Sequence, residues 1–184
     1  IKNKKSYQNL STKSLETKLA YSAGFETMTQ GFTKWLLGKR TKLFKNACPY
    51  ISSFWLMHMI EEAEHKTVAF DVYMAYSGSY VRRALGVFHG SFHVLGYAAL
   101  GMVTALKKDR LLWTLGGQLG IVQLLWSILW NVGPTFLSAL MPWHNPRNSK
   151  DPQWFIDWVE AYPSEDPEKQ PLIDTSDPRI PIPF

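Results

Sequence analysis

The chain has a single cysteine, Cys48, so no disulfide bond can link two parts of it. Charged residues are also scarce, at 19% against 46% hydrophobic residues, which excludes a disordered chain and predicts a domain with a real core. Motifs of nucleic-acid-binding proteins and internal repeats are both absent, and the net charge of +5 is modest, so we expect no nucleic acid as a partner. There is no initiator methionine and no signal peptide at Ile1, from which we expect a processed or truncated N-terminus.

Two long stretches, residues 84–106 and 111–142, contain no Asp, Glu, Lys or Arg. Each reaches the length of about 20 residues that a membrane-spanning helix needs. A short charged segment, Lys107 to Arg110, separates them and predicts a hydrophobic helical hairpin. Pro134 is expected to kink or end the second helix. Three interpretations stay open: the hairpin spans a membrane, lies in one leaflet, or completes a soluble helical core.

The segment from Pro49 to about Tyr76 is predicted to form one helix, and it carries most of the chemistry. At 3.6 residues per turn, His58, Glu62 and His65 lie on one helical face. That face continues in apolar or small residues, which predicts that it is buried: Ile51, Trp55, Ala69 and Val72. A lone buried carboxylate is costly, and a metal ion is the most economical partner for two imidazoles and a carboxylate at this spacing. Glu62 and His65 form the E-x-x-H unit of di-iron and di-manganese helix bundles.

An earlier helix is predicted to begin at Ser11 or Thr12 and to end near Leu37, before Gly38. Glu26 falls on the face of this helix that carries leucines and small residues. It is therefore either an exposed surface carboxylate or an inward one that faces the helix with His58, Glu62 and His65. A second histidine pair, His89 and His93, is spaced i,i+4 on one face and could chelate a metal, but hydrogen bonding inside a bundle is the favoured interpretation.

The central segment resembles a bacterial family called predicted metal-dependent hydrolases. The residues that carry the resemblance are Trp55, His58, Glu61, Glu62, Glu64, His65 and Lys66, followed by Val68 to Tyr73. They match the family's W-x-x-H-x-x-E-E-x-E-H-K-x-V-A-F-D-V-Y signature. Two looser similarities flank it. Glu26 stands where the family has a Glu in an A-L-E-H-F-T-A element, although the following His is Thr27 here, and Pro142 to Pro146 resembles an F-H-P-W element in altered order.

The resemblance implies a ferritin-like metal site whose ligands are Glu26, Glu62 and His65, with His58 as an additional ligand. The metal would be iron, or else manganese or zinc. The family's remaining G-E-x-x-F and Q-E-x-x-H-x-x-x-H elements are not in this sequence. We therefore expect a protein partner or a missing N-terminal segment to complete the bundle.

We thus predict an all-α fold, a partial ferritin-like bundle with a hydrophobic hairpin and an extended Pro-rich C-terminal arm. Residues 1–78 would form the pair of helices that carries the metal motif, and residues 79–144 would form the hydrophobic hairpin. Residues 145–184 would form a short helix at about 152–161 and then the Pro-rich arm. The implied activity is that of a metal-dependent hydrolase by family or an O2-activating oxygenase by ligand set, acting on an apolar substrate. The alternative is a non-catalytic, membrane-associated subunit of a larger complex. We expect membrane association and lipid contact, or otherwise a cytoplasmic protein.

Overall fold

The computed structural model describes residues 2–150, with side chains from Lys4 onward. This part of the chain is helical and contains no β-strand, which confirms the predicted all-α fold. Its α-helices are α1 (Lys2–Ser11), α2 (Leu15–Gly38), α3 (Arg40–Leu43), α4 (Pro49–Glu64), α5 (Val68–Tyr76), α6 (Tyr80–Lys108) and α7 (Leu115–Ala139), followed by a 3-10 turn at Pro146–Asn148. The predicted short helix at 152–161 and the Pro-rich arm lie outside the described residues.

Helix α2 is the central element, and α4, α5, α6 and α7 all pack against it. Its N-cap is Ser14, whose hydroxyl accepts a hydrogen bond from the Thr17 N–H, two or three residues beyond the start predicted at Ser11 or Thr12. Its buried residues point in many directions rather than along one stripe, as a helix surrounded by others requires. Leu15 belongs to the helix face that carries the leucines, yet it is 51% exposed because it lies in the first turn, beyond the packed part of the helix.

Glycines let the backbones of α2 and α6 touch. A β-carbon added at Gly24 would collide with the Gly86 backbone, and one added at Gly90 would lie 2.8 Å from the Phe25 nitrogen. Gly86 and Gly90 are four residues apart, the small-xxx-small spacing of closely crossing helices. On the other side of α2, a β-carbon at Gly31 would lie 3.0 Å from the Val132 side chain on α7. Helix α2 is therefore clamped between α6 and α7.

The single helix predicted over 49–76 is wrong: α4 ends at Glu64 and α5 begins at Val68, with a turn between them. The physical reason is charge. Glu61, Glu62 and Glu64 crowd the C-terminal end of α4, where the helix dipole disfavours anions and where the last turn holds no basic residue. A new helix start after the turn places Asp71 in a first turn, where an anion is favourable.

The buried face of α4 also differs from the predicted one. Ile51, Trp55 and Val72 are 59%, 46% and 49% exposed. The core instead uses a neighbouring stripe of α4, formed by Leu56, Met59, Ile60 and Ala63. This stripe packs against Leu37 at the end of α2. The helix rotates toward this stripe because it offers more large apolar side chains for burial. His58 consequently lies at the edge of the packed face.

Helices α6 and α7 form the predicted hydrophobic segment, joined by residues 109–114. Among the described helices, α7 is long and apolar enough to cross a membrane, and only 6% of its apolar window is buried. It continues through Pro134 to Ala139 rather than ending there, with Pro134 inside the helix. Arg83 at the start of α6 is buried, and its two terminal nitrogens donate to the carbonyl oxygens of Ala139 and Met141 at 2.8 and 2.7 Å. This bond pair ties the start of α6 to the end of α7.

Candidate metal centre

Glu26 is a half-buried carboxylate in the middle of α2. Its Oε2 atom is buried and has no hydrogen-bond partner within the described chain. The pKa of the Glu26 carboxyl is raised to about 7, first by burial and then by the charge of Glu62, while His65 partly opposes the shift. Of the two alternatives left by the sequence, the inward carboxylate is the one observed.

Glu62 and His58 lie one turn apart at the end of α4. The His58 Nε2 atom is 3.6 Å from Glu62 Oε1, and the Nδ1 atom is 3.9 Å from Glu61 Oε2. The side chain of Glu62 is only 18% exposed, against 45% for His58. Glu62 therefore points toward the interior and Glu26, while His58 covers it from the solvent side.

His65 is the first residue after α4. Its N–H still donates to the Glu61 carbonyl oxygen at 3.2 Å, but the chain then turns. The residue is exposed, yet its ring is near enough to Glu26 to stabilise the charged carboxylate. The turn thus brings Glu26, Glu62 and His65 into one neighbourhood, with His58 on its outer side.

The chemistry of this group fits a cation. Glu62 raises the pKa of the Glu26 carboxyl, whose buried Oε2 atom has no partner within the described chain, and a positive ion between the two carboxylates would stabilise them. Carboxylate and imidazole together suit iron, manganese or zinc. In residues 2–150, however, no three His, Cys, Asp or Glu side chains converge closely enough to hold a metal ion. The four predicted residues are therefore an incomplete set in this geometry.

The segment after α7 closes over the turn between α4 and α5. Arg147 pairs with both carboxylate oxygens of Asp71, and the Lys66 ammonium donates to the Ser149 carbonyl oxygen at 3.2 Å. The ring of His144 contacts Phe70 edge to face, with centroids 6.1 Å apart. The loosely matching Pro142–Pro146 element thus lies beside the central motif, and Asp71 serves to anchor this segment.

Two polar residues near the group were not predicted as site residues, Gln30 and His144. Gln30 lies one turn beyond Glu26 on α2, and its Nε2 atom is buried without a partner, as is the Nε2 atom of His144 within the described chain. Burial and the nearby Arg83 lower the pKa of His144, which keeps its ring neutral. The inward position of Gln30 beside Glu26 was a usable signal, but His144 needed the tertiary structure.

The other histidine pair is engaged in hydrogen bonding and ring packing. The Tyr21 hydroxyl is 2.6 Å from the Nδ1 atom of His93, and the rings of His89 and His93 are 6.0 Å apart between centroids. His93 is thus hydrogen-bonded inside the bundle as expected, whereas His89 is exposed and contacts the Tyr21 ring edge to face, with centroids 5.0 Å apart.

Comparison with known proteins identifies a family for this chain. No curated protein and no solved structure matches the chain. The sequence model of a family described as predicted metal-dependent hydrolase matches residues 2–150, which includes every helix described above and all four acidic and histidine residues of the candidate centre. The chain belongs to the predicted metal-dependent hydrolase family.

Proposed function

We propose that the chain is a metal-dependent hydrolase whose metal is held by Glu26, Glu62 and His65, with His58 as an additional ligand. The observation that carries the proposal is the Glu26 carboxylate, whose buried Oε2 lacks a partner beside Glu62 and His65. A native fold rarely keeps such an atom unless something binds it. Family membership supports the same assignment.

The protein groups have separable roles in this proposal. Glu26 and Glu62 supply the negative charge, and the half-buried setting strengthens their attraction for a cation relative to water. His58 orients Glu62 through the 3.6 Å contact and partly excludes solvent. When bound, the metal ion would supply a Lewis acid and a nucleophile activated at neutral pH.

The remaining ligands would come from a partner chain or another segment, as the family pattern implies. This fits the finding that no complete ligand group forms within residues 2–150. Iron, manganese and zinc all suit the donors. An O2-activating role would use the same residues and is distinguished by the products formed.

The test is metal content and binding in the purified full-length protein. We expect stoichiometric metal with the wild-type chain and a loss of affinity of at least about tenfold in Glu26→Gln and Glu62→Gln. Glu64→Gln is the matched control, because Glu64 is exposed at the same helix end. Equal metal binding by all three variants would contradict the proposal.

Membrane association is a second candidate, supported by α7. This helix carries a row of large apolar side chains that are more than half exposed: Leu119, Val122, Leu125, Trp126, Leu129 and Trp130. A soluble monomer rarely exposes so much contiguous apolar surface. Exposed Trp113 and Trp143 lie near its two ends, as interfacial aromatics do.

Flotation with lipid vesicles tests this second candidate. Trp126→Glu should release the protein from vesicles, because a charge in the centre of the apolar surface is costly in lipid. Tyr50→Glu is the control, since Tyr50 is an aromatic of similar exposure on α4. A wild-type protein that stays in the aqueous fraction and is monomeric without detergent would rule out this candidate.

A further inference from the structure

The outer face of α4 is apolar and leads to the candidate metal centre. It consists of four large side chains that are 46–70% exposed: Tyr50, Ile51, Phe54 and Trp55. The Trp55 ring contacts Phe54 and His58 edge to face, with centroids 6.3 Å apart in both pairs. His58 and Glu62 follow Trp55 at steps of three and four residues, so they lie on the same side of the helix. The proposed ligands on α4 therefore lie at one end of an exposed apolar surface.

This outer face is large enough to form most of a protein interface. Aromatic side chains present roughly 150–250 Å² each, so the four residues together expose on the order of 500 Å². Each partner in a standard interface buries about 800 Å², and patches of this size on a soluble protein mark interaction sites. The sequence pattern predicted that Ile51 and Trp55 are buried, and a partner on this face would bury them.

The ligands of one chain amount to half of a two-metal centre. Two-metal carboxylate bundles take a Glu from each of two helices and an E-x-x-H pair from each of two others. One chain offers Glu26 on α2, and Glu62 with His65 at the end of α4, which is one of each. Within residues 2–150 this group is too sparse to hold an ion by itself. Two copies of the chain supply two of each, which is the complete set.

Helices α2 and α4 also have the arrangement of half a bundle. The Thr33 Oγ1 atom lies 3.7 Å from Met59 Sδ, and Leu37 packs with Leu56, so the two helices run antiparallel. A two-fold axis beside an antiparallel pair generates the other two helices of a four-helix bundle. The axis would lie on the side of α4 where the site is open, which is marked by the exposed His65.

We propose that a second copy of this chain packs against the outer face of α4 about a two-fold axis, and that the two copies together form the metal centre with Glu26, Glu62 and His65 from each. This rests on the proposed function and names the partner that it leaves open. Two-fold dimers are the commonest oligomers, and their interface joins the same surface of both chains. Carboxylates from both copies would meet at the centre, so a bound cation should favour the dimer.

The mass of the full-length protein in solution tests the proposal. Sedimentation or light scattering is measured over a concentration series, without metal and with Zn²⁺, Mn²⁺ or anaerobic Fe²⁺. We expect a dimer with metal, and a dimer dissociation constant at least about tenfold higher without it. A metal-loaded monomer would overturn the inference, and would mean that another segment of the same chain supplies the remaining ligands.

A variant of the outer face separates docking from metal ligation. Phe54→Arg should split the dimer and weaken metal binding by at least about tenfold, although Phe54 is not a ligand. Phe92→Arg on α6 is the matched control, because the two phenylalanines are 67% and 63% exposed. The control should change neither property. A dimer that is unchanged in Phe54→Arg, or split equally by both variants, would overturn the inference.

Mixing two kinds of chain tests whether the centre is shared. Metal-free wild-type protein is combined with an excess of Glu26→Gln chains, and metal is then added. Metal bound per wild-type chain should fall several-fold, because most wild-type chains then pair with a defective copy. Glu64→Gln chains, which keep every proposed ligand, should bind metal themselves and cause no such loss. Unchanged metal per wild-type chain in the Glu26→Gln mixture would overturn the inference.

Oligomeric state and metal content are measured separately, so the two proposals can fail separately. A monomer with stoichiometric metal would contradict the second copy and leave the proposed function standing. A dimer that Phe54→Arg splits but that binds no metal would contradict the proposed function while upholding the docking surface.

Discussion

Gly86 packs directly against the carbonyl group of Ala20, and no β-carbon fits between them. The contact is between two backbones, so no flexible side chain can move aside. We predict that Gly86→Ala lowers the free energy of unfolding by about 3 kcal/mol or more, at the upper end of overpacking effects. Thermal or urea unfolding measures the change.

Gly101→Ala in the same helix is the matched control. A β-carbon at Gly101 meets nothing within 4 Å. Alanine has the higher helix propensity, so this variant should be more stable by about 0.5–1 kcal/mol. Similar effects of the two substitutions would contradict the close crossing of α2 and α6.

Arg83 provides the second prediction. Its guanidinium donates to two carbonyl oxygens at the end of α7, and burial lowers its pKa. Arg83→Met should reduce the free energy of unfolding by about 3 kcal/mol, because bonds from a charged donor are lost and buried carbonyls are left unpaired. Arg82→Met should cost less than about 1 kcal/mol, since Arg82 is a half-exposed residue paired with Glu16. Equal losses would show that α7 is not held by Arg83.

The third prediction concerns pH. The pKa of the Glu26 carboxyl is about 7 in the fold and about 4.5 ordinarily. Between these values the folded, metal-free protein binds more protons than the unfolded one, so stability should fall as pH rises from about 4.5 to 7. The contribution should be roughly 1–2 kcal/mol, smaller than the full shift gives, because solvent screens a half-buried group.

Glu26→Gln should remove this part of the pH dependence, and chemical unfolding at several pH values measures it. Added divalent metal should oppose the trend, because it binds the charged carboxylates and competes with protons. A Glu26→Gln profile that parallels the wild type would contradict the raised pKa.

The fourth prediction is that the ion pair of Asp71 and Arg147 contributes little to stability. Asp71 and Arg147 form a two-oxygen ion pair, but their side chains are 37% and 55% exposed. We expect a coupling energy below about 1 kcal/mol in a double-mutant cycle of Asp71→Asn and Arg147→Gln. The pair should fix the position of residues 144–149 more than it stabilises the fold. A coupling of several kcal/mol would indicate a much drier environment.

Local patterns were sufficient for much of the helical structure. Pro49 begins α4 and Gly38 ends α2 as their conformational preferences predict. The first predicted helix begins at Ser11 or Thr12, yet an additional helix, α1, precedes it from Lys2 to Ser11. Pro134 did not end α7, because a proline removes one hydrogen bond and the rest of the helix compensates.

The candidate site was predictable in composition and not in geometry. The proximity of Glu26, Glu62 and His65 follows from the inward pattern of α2 and the E-x-x-H spacing. The turn after Glu64 results from the negative charges at the end of α4. Hydrophobic periodicity alone does not predict such a break in a helix. The cavity of about 320 Å³ that Gln30 and His144 line could not be predicted, because only tertiary packing brings these distant residues together.

Because of the turn at residues 65–67, the directions of the side chains on α5 do not depend on the helical register of α4. In an unbroken helix, one inserted or deleted residue would rotate every later side chain by about 100°. Here such a change could be absorbed in the turn, leaving Phe70 in its buried position and Asp71 within reach of Arg147. The side chains of the turn itself, the His65 ring among them, would change direction. An insertion or deletion in this turn could therefore change the direction of the proposed metal ligand His65 while the surrounding helices keep their positions.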